Sequence, residues 1–253
     1  MTTSYFKFKN GYEIGGYWYP RVTAICGILA KPGLLKYYAN QENFTKAQES
    51  LFHASYWGKT AHEVMGKILK REKVKVPSVI SHSILAFEEW KAQHKISIFD
   101  IEKRVLSKEH WYAGTADVFL EIDGKFGVLD LKTSTGIWDE YSLQTAAYFQ
   151  AFNEMALPKV ETRWILRVDQ YQKCEICGAK RRTKEKHMRA KGGRENCNHT
   201  FGFIQGEYEF KELNNQERDI RAFLAAREIW EWLNQKILVQ IENYPKNLKS
   251  KFI

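Results

Sequence analysis

The chain has no stretch approaching the roughly 18 consecutive apolar residues of a membrane span. Its first ten residues, M-T-T-S-Y-F-K-F-K-N, lack the apolar core of a secretory leader. Both absences argue against a membrane partner and point to a soluble, intracellular, cytoplasmic protein. Only four cysteines occur in 253 residues, three of them clustered. They fit a metal site in a reducing compartment better than a disulfide framework. No internal repeat is visible.

What is present is a basic, aromatic-rich chain. The net charge is +9, and 8 Trp, 13 Tyr and 15 Phe accompany the excess of Lys and Arg. This mixture suits a polyanion with stackable bases. With 44% hydrophobic residues, the length allows one large α/β domain with a small insertion.

The most informative stretch runs from Gly114 to Lys132, G-T-A-D-V-F-L-E-I-D-G-K-F-G-V-L-D-L-K. It reads as two strands joined at Asp123-Gly124, a dipeptide suited to a two-residue hairpin turn. Ile122 then pairs with Lys125, and counting outward sets Asp117 opposite Asp130. Strand periodicity adds Lys132 to that face. Two carboxylates facing across a ladder have β-carbons about 5 Å apart and repel when both are ionised. Solvent with a lysine counter-ion balances such a pair, and so does a divalent cation, since Mg²⁺ favours one or two carboxylates with the rest of its shell left to water and phosphates.

In chain order, residues 4–19 read as an aromatic strand or hairpin leading to Pro20. Arg21 to Ala30 is a short apolar helix stopped near Pro32-Gly33. Leu34 to Leu69 is helical with a break at Trp57-Gly58, and His62 in the second part reads by itself as a packing residue. Ser81 to Gln93 is another amphipathic helix. Ile98 to Leu106 is a strand carrying Glu102. After Lys132 a helix spans Trp138 to Met155, with Gln144 and Tyr148 on one face; alone, they read as a surface hydrogen-bonded pair. Trp138 and Tyr141 at its start are candidates to stack on a base. Val160 to Tyr171 and Thr200 to Phe210 are strands. Asn214 to Gln240 is a long helix with Phe223, Leu224, Ile229, Trp230 and Leu233 toward the body, and Lys246 to Lys251 form a basic tail. The sum is an α/β sandwich with a central mixed β-sheet flanked by helices.

A second stretch, Cys174 to Phe201, holds Cys174-x2-Cys177 and, after a 19-residue gap, Cys197-x-His199. Four N/S ligands suit a structural zinc ion, with His187 as a substitute for His199. Positions 178–195 carry Lys180, Arg181, Arg182, Lys184, Lys186, Arg189, Lys191 and Arg194 against Glu185 and Glu195, a balance of +6. Such a loop has no core of its own, so a metal staple carrying phosphate-contacting Lys180, Arg181, Arg182, Lys184 and Arg189 is the reading. The domain plan is therefore 1–173 as core, 174–199 as Cys/His insertion, and 200–253 as strand and helix completing the core.

The ordered set His62, Asp117, Asp130-Leu131-Lys132, Gln144-x3-Tyr148 resembles the PD-(D/E)xK nuclease superfamily, in its RecB-like branch. That branch takes in the RecB and AddAB nuclease domains, CRISPR-associated RecB-like nucleases and many phage exonucleases. V-T-A-I-C-G-I-L-A-K-P-G-L, G-K-T-A-H-E, G-T-A-D-V, D-L-K-T-S and Y-S-L-Q-T-A-A-Y share the resemblance, which spans roughly residues 20 to 170. It implies a restriction-endonuclease-like core in which Asp117, Asp130, the Leu131 carbonyl and His62 ligate Mg²⁺ or Mn²⁺. It further implies that Lys132 positions the attacking water, that Gln144 and Tyr148 orient the lysine and the DNA phosphate, and that Glu102 acts indirectly or on a second metal. Ala116 stands where the name-giving motif has proline. The implied activity is phosphodiester hydrolysis as a DNA exonuclease at free or single-stranded ends, in phage or bacterial recombination or repair, with a helicase or recombinase partner. Alternatives are a structure- or sequence-specific endonuclease and a catalytically silent nucleic-acid binding module. Some members hold a 4Fe-4S cluster with one cysteine before the motifs and three after, an order that Cys26, Cys174, Cys177 and Cys197 follow.

Overall fold

A computed structural model describes residues 2–40, 42–156, 158–184 and 188–245. Helix α1 (Thr3–Asn10) leads into a hairpin of β1 (Gly11–Ile14) and β2 (Tyr17–Pro20), followed by α2 (Val22–Cys26), α3 (Pro32–Ala39), α4 (Phe44–Leu69) and α5 (Ser81–Ala92). Then come β3 (Ile96–Ser107), β4 (Tyr112–Ile122), β5 (Lys125–Lys132), α6 (Asp139–Met155), β6 (Thr162–Cys174), β7 (Lys180–Arg182), β8 (Phe201–Glu212) and α7 (Gln216–Leu238).

The six strands from β3 onward form one mixed sheet. β3, β4 and β5 are an antiparallel meander, β6 is parallel to β5, and β7 and β8 both pair antiparallel with β6. The parallel step needs a crossover, and α6 supplies it. Apolar side chains leave the sheet on both faces. One layer joins Phe119, Phe126 and Val128 to Tyr148 and Phe152 of α6 and Phe223 and Trp230 of α7. The other joins Val118, Leu120, Leu129 and Leu166 to Trp57, Ala61 and Met65 of α4 and Phe87 and Trp90 of α5. The architecture is therefore helices on both faces of a mixed sheet.

The hairpin forms in the expected register, from Ile122↔Lys125 to Val118↔Leu129. Asp123 (φ 52°) and Gly124 (φ 88°) both take left-handed backbone, as a turn matching the strand twist requires. The Asp123 carboxylate also accepts from Lys95 N at 2.9 Å and faces His94 Nδ1 at 2.7 Å, which pins the turn to the end of α5.

Three sequence expectations change. Residues 3–10 are a helix, not a strand, because the Thr2 side chain caps it by accepting from Tyr5 N, and Phe6 packs between Trp18 and Trp230. α4 runs unbroken through Trp57-Gly58. Gly58 is there for close approach, since a β-carbon would stand 2.7 Å from Thr133 Oγ1, and the break falls earlier, where Asn43 caps α4 by accepting from Lys46 N. On α7, Phe223, Leu224 and Trp230 are buried, but Ile229 and Leu233 face solvent. The basic tail from residue 246 lies outside the described residues.

α5 crosses β8 at Gly206, where a β-carbon would lie 2.0 Å from the His82 carbonyl oxygen. Gly206→Ala is expected to cost about 1–3 kcal/mol, read as a melting temperature lower by about 2–4 °C per kcal/mol. Gly33→Ala, with open space around the new methyl, is the control and should not lower it.

Candidate functional site

β4 and β5 stop pairing one residue short of the two acids: the ladder ends at Val118↔Leu129, so Asp117 and Asp130 face each other where the strands part. Asp117 Oδ2 accepts from Leu131 N at 2.8 Å, taking up a donor the ladder has released. Alternation also slips here, because Ala116 packs in the α6 layer and Val118 in the α4 layer. On β3, Glu102 stands opposite Asp117, between the pairs Ile101↔Val118 and Lys103↔Ala116, with φ at 55°. Left-handed backbone in a bulky residue within a strand is strained, and such strain gathers where geometry is held for a purpose.

Asp130 is 1% exposed. The Lys132 ammonium lies 2.6 Å from Oδ2, but that oxygen makes no hydrogen bond of good geometry. Gln144 of α6 ties the group together. Its Nε2 donates to Asp130 Oδ1 (3.2 Å) and to the Tyr148 hydroxyl (3.0 Å), and its Oε1 accepts from Lys132 Nζ at 3.4 Å. Lys132 Nζ also lies 4.7 Å from the centre of the Tyr141 ring. From the opposite layer, His62 of α4 brings Nδ1 to 3.9 Å from Asp117 Oδ2. Asp117 and His62 line a cleft: protein surrounds them, yet 27% and 34% of their side chains still meet solvent.

Burial dominates the electrostatics. It pushes Asp130 up to about 6, with Asp117 adding to the rise and Lys132 opposing it. It pushes Asp117 up as well, against Lys132 and the Leu131 N–H. Burial, reinforced by Lys132, lowers His62 to about 4, so its imidazole is neutral near pH 7. For Lys132 burial favours the neutral amine, but Asp130 and Asp117 outweigh it and hold the ammonium charged. Two carboxylates that resist ionising, a buried oxygen without a hydrogen bond and a neutral imidazole are donors of the kind a divalent cation takes, although the ligand atoms of His62, Asp117 and Asp130 do not all lie within 4.8 Å of one another.

The Cys/His group closes independently of that site. One ligand atom from each of Cys174, Cys177, Cys197 and His199 lies within 4.8 Å of all the others. Cys174 Sγ and Cys197 Sγ are 3.9 Å apart, and Cys177 Sγ and His199 Nδ1 are 3.4 Å apart. A tetrahedron with bonds of about 2.3 Å has edges of about 3.7 Å, so the four can hold a metal such as zinc. Burial opposes ionisation of Cys174, but the N–H groups of Cys177 and Ile176 and the His199 ring outweigh it and bring the thiol down to about 6. Cys174 is closed to solvent, although only a thin shell of protein covers it.

Cys26 does not join them, which overturns the iron–sulfur order read from the sequence. It is enclosed near Lys31, Glu140 and Lys132, and burial pushes its thiol up to about 12. His187, the substitute ligand, lies outside the described residues. A third group, Glu109, His110 and Glu154, can also hold a cation at the β3–β4 turn, in more exposed surroundings.

The basic segment behaves unlike a free phosphate-binding loop. Lys184 is buried, donates to the Thr133 carbonyl, lies 3.1 Å from Asp169 and 5.6 Å from the Trp57 ring centre. Its own carbonyl faces His53 Nδ1 at 2.9 Å. Arg182 pairs with the fully buried Asp169 and donates to Thr135 O at 3.4 Å. Lys180 pairs with Glu207 at 2.8 Å, and Arg181 Nε donates to Gln172 while its guanidinium covers Phe201. In this arrangement Lys184 is out of reach of any phosphate. Lys180, Arg181 and Arg182 already have partners, and Arg189 is exposed with a bond to Asn40 O. Trp138 is 45% exposed, whereas the Tyr141 ring faces Lys132. Sequence reading missed Asp169, a carboxylate two residues after Arg167 in an apolar strand; that isolated charge pair was its one signal.

The chain matches no protein-family model and no curated protein sequence.

Because Asp130 ionises near 6 rather than at the ordinary 3.8, the folded, metal-free protein holds its proton more tightly than the unfolded chain. Its stabilisation is complete below about pH 3.8 and is lost as pH rises through about 6. Mn²⁺ is therefore expected to raise the melting temperature more at pH 7 than at pH 4.5, and Asp130→Asn to remove that difference; thermal denaturation at both pH values checks it. Elemental analysis should find about one metal per chain, and X-ray absorption should show it tetrahedrally bound, with Cys177→Ser releasing it and lowering stability.

Proposed function

We propose that this chain is a divalent-cation-dependent deoxyribonuclease of the PD-(D/E)xK superfamily with a restriction-endonuclease-like core, acting as a RecB-like exonuclease on free or single-stranded DNA ends. The observation that carries the reading is the buried Asp130–Lys132 pair bridged by Gln144 at the point where β4 and β5 part. The motif residues are scattered over 87 positions from His62 to Tyr148, yet they come together at that one point.

Asp117, Asp130, the Leu131 carbonyl and His62 would hold Mg²⁺ or Mn²⁺. The cation would supply Lewis-acid stabilisation of the phosphoryl oxygens and an acidified water. Lys132 keeps its proton, so its part is electrostatic: it orients the incoming water and balances charge developing at phosphorus. Gln144 uses both its donor and its acceptor inside the site and fixes the rotamers of Asp130 and Lys132. Burial keeps the Tyr148 hydroxyl protonated, so it holds the amide of Gln144 as a neutral partner. Glu102, opposite Asp117, adds negative charge beside the pair and would attract a second cation. The Cys/His group is read as structural zinc.

The test is digestion of end-labelled linear DNA, single- and double-stranded, beside covalently closed circles, with Mg²⁺ or Mn²⁺. Loss of linear DNA with intact circles is the expected result. Asp130→Asn should lower the rate about a thousandfold or more, about 4 kcal/mol of transition-state stabilisation, while retaining DNA binding. Cut circles would instead mark an endonuclease. Absence of cleavage by the wild type with either metal would leave a binding module.

A further inference from the structure

The β1 residue Tyr12 carries two guanidinium groups on its ring. Arg21 Cζ lies 4.5 Å and Arg104 Cζ 4.7 Å from the ring centre. The Tyr12 hydroxyl is fixed 3.4 Å from the Thr115 hydroxyl, and Arg104 pairs with Thr115 across β3 and β4. Arg21 is anchored from the other side by a backbone bridge to Ala113. Among the described residues neither guanidinium makes an ion pair, and Arg21 Nε is enclosed without an acceptor. Tyr12, Arg21 and Thr115 are half-buried and Arg104 is exposed, so the cluster opens to solvent.

Two like charges have thus been drawn to one tyrosine with no carboxylate to offset them. An aromatic ring attracts each cation but cannot cancel their mutual repulsion. An external anion can. The position is informative, since Thr115 and Arg104 are two residue pairs along the sheet from Asp117 and Glu102, about 7 Å at strand rise. A planar guanidinium fork donates two parallel N–H bonds to two oxygens of a phosphate, which a lysine ammonium does not.

We infer that Arg21 and Arg104, presented by Tyr12, form a phosphate subsite beside the acids, which grips a single strand next to the phosphate held at Asp117 and Asp130. This rests on the proposed nuclease reading for its neighbour, not for its own ligand. Phosphate could come from the backbone or from a strand's terminal group, and the probes separate the two.

The experiment measures binding of the full chain to oligothymidylates of about 12 nucleotides, with a 5′-phosphate or a 5′-hydroxyl, by fluorescence anisotropy over a salt series without divalent cation. Each of Arg21→Gln and Arg104→Gln should weaken binding about tenfold and lower the slope of log affinity against log salt by about 0.7. Arg104→Lys should keep the slope while losing part of the affinity. A loss confined to the 5′-phosphorylated strand assigns a terminal phosphate, and an equal loss on both assigns the backbone. Since Arg104 is exposed, Arg104→Gln should fold with an unchanged melting temperature and decides the matter alone. An unchanged slope in Arg104→Gln overturns the subsite even if DNA is cleaved. A reduced slope in a protein that cleaves nothing keeps the subsite and removes the nuclease reading.

Discussion

The structure depends on one buried ion pair. Taking a carboxylate and an ammonium out of water costs several kcal/mol for each ion, and their attraction recovers it only in good geometry. Asp130 and Lys132 are held in contact by Gln144, which bridges Asp130 Oδ1 and Lys132 Nζ and reaches them only because α6 lies close to the sheet. Tyr148 sets that distance, and its ring has room because position 114 is glycine: a β-carbon there would stand 2.4 Å from Tyr148 Cε1. A missing methyl on β4 thus fixes the spacing that lets an amide on α6 hold a charge pair on β5.

The same economy governs the basic insertion. Arg167, Arg182 and Lys184 all approach the Asp169 carboxylate, and Glu207 and Glu209 take up the remaining charge of Arg167 and Lys180. Much of what looks in sequence like surplus positive charge is internally neutralised. The consequence is mechanical. Lys184 and Arg182 grip the Thr133 and Thr135 carbonyls, in the loop that follows Lys132, while Lys184 also rests on α4, which carries His62. A metal held between Cys174 and His199 would therefore brace both walls of the cleft, though it is remote from the acids in sequence.

The hairpin and its facing acids were legible because period-two alternation and an Asp-Gly turn determine register locally. The Gln144–Tyr148 pair was legible for the same reason, as helix spacing is local. What escaped was set by distant partners. Gly58 looks like a helix break until Thr133, 75 residues away, is seen against it. Lys184 looks like a phosphate contact until β7 is found beside β6, just past the end of β5, which delivers the following residues to the loop after Lys132. The slip at Asp117, with Glu102 held in left-handed backbone opposite, has no sequence signature because neither residue favours it.

That slip explains how one site draws on both layers. In a regular strand Asp117 would face either α4 or α6. At the slip it hydrogen-bonds the backbone of β5, stands near His62 of α4, and still opposes Asp130, whose own partners come from α6. A strand parting alone would expose two acids to solvent, where they would ionise independently. Enclosing them between two helical layers raises the cost of ionising both and leaves Lys132, in ion-pair contact with Asp130 and acting on Asp117 from further away, as the one ammonium beside them among the described residues. One fixed charge of +1 cannot balance two carboxylates at neutral pH, so the same packing that builds the core leaves the cleft with an unmet demand for positive charge.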